Sequence, residues 1–236
     1  MIDAHIHIDF YDNPIEIIKQ IWQREISSIF VTHLPELYFK HKEMLKDNPL
    51  IFLAVGFHPM LVNQYSFDEQ LFIKALESTK FVGEVGLDFT VARTENSRVK
   101  QINIFQKICK HSKNHILSIH SRNAENEVYD ILQKYSAENA IFHWYTGALE
   151  LIPRIIEAGY FFSINPAMLR SSKGRSILAK IPLNRILIES DGPFTKYKGK
   201  LIEPILMNDI YMDFQKFYGV NNLDEIVLEN IISLVG

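Results

Sequence analysis

The chain has 236 residues, 47% of them hydrophobic and 22% charged, with a formal charge of −3. This is ordinary globular composition with enough chain for a sizeable core, and it excludes a global basic field, so any polyanion must be held locally by metals or a small basic patch. The lone cysteine, Cys109, admits no internal disulfide, and the sequence shows neither a charged leader with an apolar segment nor an apolar run of membrane length; the expectation is a cytoplasmic protein with no membrane partner.

Apolar runs rich in β-formers alternate with helical patterns along the whole chain. A first strand is predicted over 2–8 ("IDAHIHI"), then a helix over 13–25 with Ile17, Ile18, Ile21 and Trp22 at helical spacing. A second strand over 27–33 precedes a helix over 36–46, and a third over 50–56 precedes a helix over 66–78, where Ser66 and Glu69 have capping-box spacing. The fourth to eighth strands are predicted at 80–87, 115–120, 139–143, 160–165 and 185–190. Helices at 97–112, 124–136, 149–159 and 174–181 separate them, and helical segments run to the end. Short apolar strands without alternation suggest a parallel sheet buried on both faces. Eight βα units at this length predict an α/β fold of one domain over 1–236, a (β/α)8 TIM barrel, with an open doubly wound sheet as the alternative. The stretch 221–236 reads as a terminal helix covering the outside or bottom of the barrel.

Active sites of such barrels lie at the C-terminal ends of the strands. His5 and His7, two apart and so on one side of the first strand, end it. His33 ends the second, His58 follows the third, Glu84 lies in the fourth, and His120 and His143 end the fifth and sixth. Asp191 follows the eighth. A satisfied core histidine explains one or two such positions, not the series. His5, His7, Glu84, His120, His143 and Asp191 are therefore candidate metal ligands. Imidazole and carboxylate without thiolate suit Zn, Mn, Mg or Fe. Six ligands exceed the need of one tetrahedral ion and suit two divalent ions sharing a carboxylate, a device of phosphate-ester cleavage. Trp144 and Tyr145 follow His143 and either stack a base or pack beneath a loop. Two basic stretches, "LRSSKGR" (Arg170, Lys173, Arg175) and "TKYKGK" (Lys196, Lys198, Lys200), flank Asp191 and read either as solvated loops or as phosphate contacts. His33, His41, His111 and His115 read as core or surface residues, and Cys109 as a small buried hydrophobe.

In order along the chain, "MIDAHIHIDF", "GFHP", "VGEVGLDF", "SIHSRNA", "FHWYTGA", "RILIESDGPF" and "GKLIEP" resemble the successive signatures of the TatD family of metal-dependent deoxyribonucleases. That family is a TIM barrel of the amidohydrolase superfamily. "LSIHSRNA", "YFFSINPAMLRSSKGRSILA" and "ESDGPF", with "VGEVGLD", resemble more narrowly the TatD-like nuclease of the Qat anti-phage defence system. The resemblance implies that His5, His7 and Asp191 hold one metal, that Glu84 bridges, and that His120 and His143 hold the second. It implies that Asp191 orients or deprotonates the attacking water. It makes His58 a phosphate contact or a support for the ligands, and Asp88, Asp9 and Arg122 supports or substrate contacts. The implied activity is hydrolysis of phosphodiester bonds in DNA rather than RNA, from an end. The narrower resemblance implies companion proteins of a defence cassette, among them an ATPase and a QueC-like enzyme. Two features depart from the family: Ile202 replaces a polar residue beside Glu203 in "GKLIEP", and the chain is somewhat short, as if a substrate loop were trimmed. Glu84 stands where many relatives in the superfamily carry a carboxylated lysine, which argues against a dihydroorotase or urease type of site. Two other readings stay open: a hydrolase of small esters or amides, and a binding subunit whose metal site is idle.

Overall fold

The computed structural model of the chain describes residues 1–45 and 48–236. Eight parallel strands alternate with helices: β1 (Ile2–Ile6), α1 (Pro14–Gln23), β2 (Ser27–Val31), α2 (Pro35–Met44), β3 (Ile51–Ala54), α3 (Glu69–Leu76), β4 (Phe81–Asp88), α4 (Glu95–His111), β5 (Ile116–Arg122), α5 (Glu125–Lys134), β6 (Asn139–His143), α6 (Ile152–Glu157), β7 (Phe161–Ile164), α7 (Pro166–Arg170), α8 (Ser172–Leu178) and β8 (Ile186–Ile188). A short antiparallel hairpin, β9 (Lys196–Tyr197) and β10 (Lys200–Leu201), follows, then α9 (Met207–Tyr218) and α10 (Leu223–Val235).

Strands β1 to β3 and β4 to β8 form two parallel ladders. Two seams join them into a closed barrel. At one, Val55 pairs with Val82 and Glu84 N–H donates to Thr32 O at 3.0 Å. At the other, Asp191 N–H donates to His5 O and His7 N–H to Gly192 O, both at 2.9 Å. Closure of both seams excludes the open doubly wound sheet and bears out the barrel. The strands read as unbroken apolar runs because helices cover their outer face while layered side chains fill the inside. All eight residues of β4 are buried. One core holds Val82, Ile119, Phe142, Phe162 and Leu187 together with Phe105 and Ile155 of the helices.

The elements differ from expectation at their ends. Helix α3 starts later than Ser66 because Asp68 is the cap, its carboxylate accepting from Leu71 N at 2.9 Å. The capping box falls instead on α4, where Thr94 and Ser97 bond reciprocally. Residue 46, the expected end of α2, lies outside the described residues. The "LRSSKGR" stretch is not a loop: it closes α7 and opens α8, with Ser171 capping α8. The terminal helix α10 does cover the bottom of the barrel, where Asn230 Nδ2 donates to Leu183 O and Ile186 O beside the start of β8. Among the described residues no helix is long and apolar enough to cross a membrane.

Candidate metal centre

The C-terminal rim collects side chains from four strands and the turn after a fifth. His5 and His7 come from β1 and its end, Glu84 from β4, His120 from β5, His143 from β6, and Asp191 from the turn after β8; all are buried. Glycines permit the close approach. Gly86 has φ of 137°, and a Cβ there would lie 2.0 Å from His120 O. At Gly56 a Cβ would lie 2.5 Å from Glu84 N. A side chain at Gly86 would push apart β4 and β5, which carry Glu84 and His120, and one at Gly56 would press on the backbone of Thr32 and Glu84.

Glu84 is the hub. Its Oε2 lies 3.4 Å from His5 Nε2 and 3.3 Å from His7 Nε2. Its Oε1 lies 2.6 Å from His120 Nδ1, 3.3 Å from His58 Nε2 and 3.7 Å from His143 Nε2. Asp191 Oδ1 closes the first side at 3.4 Å from His7 Nε2. The imidazoles form a ring around this carboxylate. His5 stacks on His143 at 3.8 Å, and neighbouring centroids run His5–His7 4.8 Å, His7–His33 4.7 Å, His33–His58 5.3 Å and His58–His120 4.8 Å.

Three histidines are fixed from behind. His5 Nδ1 is hydrogen-bonded to Ser118 Oγ at 2.8 Å. His143 Nδ1 pairs with Glu189 Oε2 at 3.0 Å, and Glu189 is held in turn by the Ser163 hydroxyl and by Asn165 Nδ2 at 2.9 Å. His120 Nε2 pairs with Asp88 Oδ2 at 2.9 Å, and Thr90 N–H donates to the other Asp88 oxygen. An imidazole with one nitrogen on a carboxylate or hydroxyl and the other turned into a shared space is how proteins orient metal ligands.

The electrostatics agree. Burial disfavours a charged imidazole, yet the Asp191 and Glu84 carboxylates outweigh it at His7 and raise that group to about 9. Glu189 does the same to His143, raised to about 10. His5, more dominated by burial and by His143, falls to about 4. Burial works against ionised Glu84 and Asp191, but the surrounding histidines hold both below the ordinary carboxylate range. The carboxylates are thus ionised and favour positive charge at the centre.

The donor set fits divalent metal. His5 Nε2 faces His7 Nε2 at 3.1 Å beside Glu84, an arrangement in which one proton at most can serve two nitrogens. Three overlapping groups have donor atoms close enough to share an ion: His5–His7–Glu84, His5–His143–Asp191 and His58–Glu84–His120. All six expected ligands are brought together, and His58 joins them at ligand distance from Glu84.

Other expected residues fall variously. Arg122 and Trp144 lie together on the wall of a pocket of about 450 Å³ above the centre, the guanidinium 5.4 Å from the Trp144 ring. Tyr145 packs inside, so only one of that aromatic pair faces the opening. Asp9 turns away and pairs with buried His41 at 3.2 Å. Lys196, Lys198 and Lys200 stand exposed on the β9–β10 hairpin, outside the pocket wall, with Lys198 folded over the Tyr197 ring at 4.6 Å. Arg170 and Arg175 bond the backbone carbonyls of Lys196 and Leu169. Ile202 is wholly buried and Glu203 accepts from Gln20 Nε2 at 2.7 Å, so the departure in "GKLIEP" fills core rather than opening the site. His111 pairs with Glu69 and His115 with Leu76 O, away from the centre, and burial raises the Cys109 thiol.

Sequence reasoning missed Glu189, Ser118 and the place of His33. Strand parity holds the signal for one of them. Ser118 and His120 are two apart within β5, so Ser118 shares a face with a proposed ligand, whereas Glu189 and left-handed Asp191 lie past the end of β8. His33, a core or surface residue by sequence, stands in the pocket wall between His7 and His58.

Comparison with known proteins gives one consistent picture. A family described as TatD related DNase matches residues 2–236. An uncharacterized metal-dependent hydrolase of Bacillus subtilis, YabD, is 26% identical over 98% of this chain and 93% of its own length. The human protein named deoxyribonuclease TATDN3 is 25% identical over 99% of this chain and 94% of its own. The crystal structure of YJJV, a TatD homolog from Escherichia coli, superposes with a TM-score of 0.85 at 22% identity, covering 99% of this chain and 97% of that one.

Proposed function

This chain belongs to the TatD related DNase family of metal-dependent hydrolases, and on that premise we propose that it is a nuclease cleaving phosphodiester bonds of DNA from an end. The observation that carries the reading is the two-sided presentation of Glu84: one oxygen toward His5 and His7, with Asp191 beside them, the other toward His120, His58 and His143. His5, His7, Asp191 and Glu84 would hold one divalent ion, and Glu84, His120 and His143 a second, with His58 within reach of the latter. When bound, such ions supply Lewis acidity and make water nucleophilic at neutral pH.

The chain's own groups do the rest. Asp191, ionised and buried beside His7, would accept the proton of the attacking water. Its backbone is left-handed, φ 46°, a conformation held by Phe194 N–H and Thr195 N–H donating to its carbonyl. That conformation costs of order 1–3 kcal/mol and points the carboxylate into the centre rather than along the strand. Glu189 and Asp88 fix the rings of His143 and His120 so that their other nitrogens stay aimed at Glu84. Arg122, the arginine of the pocket lining, would meet a phosphate there. The narrower sequence resemblance supports a role in anti-phage defence, in the cytoplasm, beside companion proteins.

One assay tests the reading. Purified protein loaded with Zn, Mn or Mg is given end-labelled single- and double-stranded DNA, RNA and a panel of simple esters, and its metal content is measured. The expected result is shortening of DNA from one end and two ions per chain at saturation. Turnover confined to esters, or saturation at one ion, overturns the nuclease or the two-ion reading respectively. Protein that fills its metal sites and turns over none of these substrates is an idle binding subunit.

A further inference from the structure

The two turns that follow the first-side ligands close with the same hydrogen bond, although one starts from His7 at φ −109° and the other from left-handed Asp191 at φ 46°. Three residues after His7 stands Phe10, and three residues after Asp191 stands Phe194. Each turn is closed back onto its ligand: Phe10 N–H donates to His7 O at 3.1 Å and Phe194 N–H to Asp191 O at 2.8 Å. Each therefore delivers a phenyl ring to the same lip of the pocket. The ring centroids lie 5.2 Å apart, and both rings set an edge against His7, Phe194 at 4.9 Å and Phe10 at 6.0 Å. Phe10 packs further on His33 at 4.6 Å, which props it from beneath.

Neither ring is placed there by the core. Phe10 is 49% exposed and Phe194 is 53% exposed, in a protein that buries Phe30, Phe57, Phe72, Phe105, Phe142 and Phe162 almost completely. Single exposed apolar side chains need no explanation. Two phenyls in contact, pinned by these turns to two residues of one centre and lining the same opening, do. Met60, 49% exposed, extends the same apolar lip. The surface offered is apolar, made of two aromatic rings inclined at 57° to each other, and it adjoins a centre suited to a phosphate. The ligand with that combination of features is a nucleotide, its phosphate toward Glu84 and its base against the phenyls.

We propose that Phe10 and Phe194 form a stacking subsite for the base of the nucleotide whose phosphate enters the Glu84 centre, an inference that rests on the nuclease reading above. The base must leave any duplex to lie there, so the subsite selects unpaired strands or frayed ends. It recognises the π-face and not the base edge, so it carries little sequence preference.

The test is a cycle of protein and substrate changes. Wild type, Phe10→Ala, Phe194→Ala and the double variant, each loaded with metal and checked for melting temperature and metal content, are assayed on a short single strand. A second strand is identical but abasic at the nucleotide being released. Loss of the base should lower wild-type kcat/KM by about fivefold to 150-fold, the span of one stacked base. The double variant should lose a similar factor on the intact strand and nothing more on the abasic one, while Phe10→Tyr and Phe194→Trp keep the wild-type response. A wild type indifferent to the abasic change, or a double variant that still responds fully to it, overturns the subsite alone. A wild type that cleaves no strand at all overturns the nuclease reading, and the subsite falls with it.

Discussion

The two ends of the barrel each hold a cavity, and the larger one is at the wrong end for chemistry. At the N-terminal end a cavity of about 950 Å³ is lined by Ile2, Ile29, Ile51 and Phe81 of the strands and by Leu228 and Ile232 of α10. At the C-terminal end the pocket of about 450 Å³ is half that size, yet every group of described residues able to hold a metal lies there. Volume at the bottom reports how α10 lies over the strand starts. Convergence of carboxylates and imidazoles at the top reports function, because buried ionised groups are costly unless something pairs with them. Glu84, Asp191, His5 and His143 are all under 9% exposed and yet arranged around one space.

The largest effect expected at the top is that of Asp191→Asn. The amide keeps the shape and loses the charge and basicity. Steady-state turnover on the best substrate should fall by about 10²- to 10⁴-fold, the range for removing a general base, with the melting temperature changed by only a few degrees. Wild-type turnover with normal metal content would remove Asp191 from the reaction.

Glu189→Gln sharpens the comparison from one shell further out. Glu189 is fully buried and touches His143, Ser163 and Asn165, not the pocket. It should act only through the His143 ring. Metal affinity, read by titration against a chelating dye, should fall about 10- to 100-fold, and excess metal should restore much of the lost rate. Full affinity in the variant would mean that His143 is oriented by the strand alone.

These residues show how far the sequence could be read. The barrel is legible because eight apolar strand runs alternate with helical patterns, and the six candidate ligands because imidazoles and carboxylates recur in or just past strand after strand along one rim. Element ends were less legible: Asp68 rather than Ser66 caps α3, a choice made by which side chain reaches Leu71 N–H. His33 reads in sequence as a core or surface residue because one histidine at the end of one strand carries no sign of its neighbours. Its place between His7 and His58 exists only once the barrel closes. Glu189 is hidden in the same way, because it follows the last residue of β8 and meets His143 only across the closed barrel. For the lysines of "TKYKGK" the local charge is plain in the sequence, while the hairpin that leaves them exposed and off the pocket wall is not.

The smallest effect expected is at the bottom, and it is the one that can break the comparison outright. Ile232 is 61% exposed on α10 and lines the N-terminal cavity. Ile232→Lys puts a charge on that wall without uncovering any core. Lysine has a higher helix propensity than isoleucine, and a cation four residues from the end of α10 meets the negative end of the helix dipole. Against this stands the loss of whatever apolar contact the exposed Ile232 side chain retains. The sum should fall within about 0.5 kcal/mol, the usual range for surface changes. In a chain of this length that moves the melting temperature by about 2 °C or less. Because no polar group of the centre lies near this cavity, kcat/KM and metal content should match wild type. A fall of several-fold in kcat/KM at an unchanged melting temperature would show that the N-terminal cavity is coupled to the centre, and the division of the barrel into a structural end and a chemical end would fail.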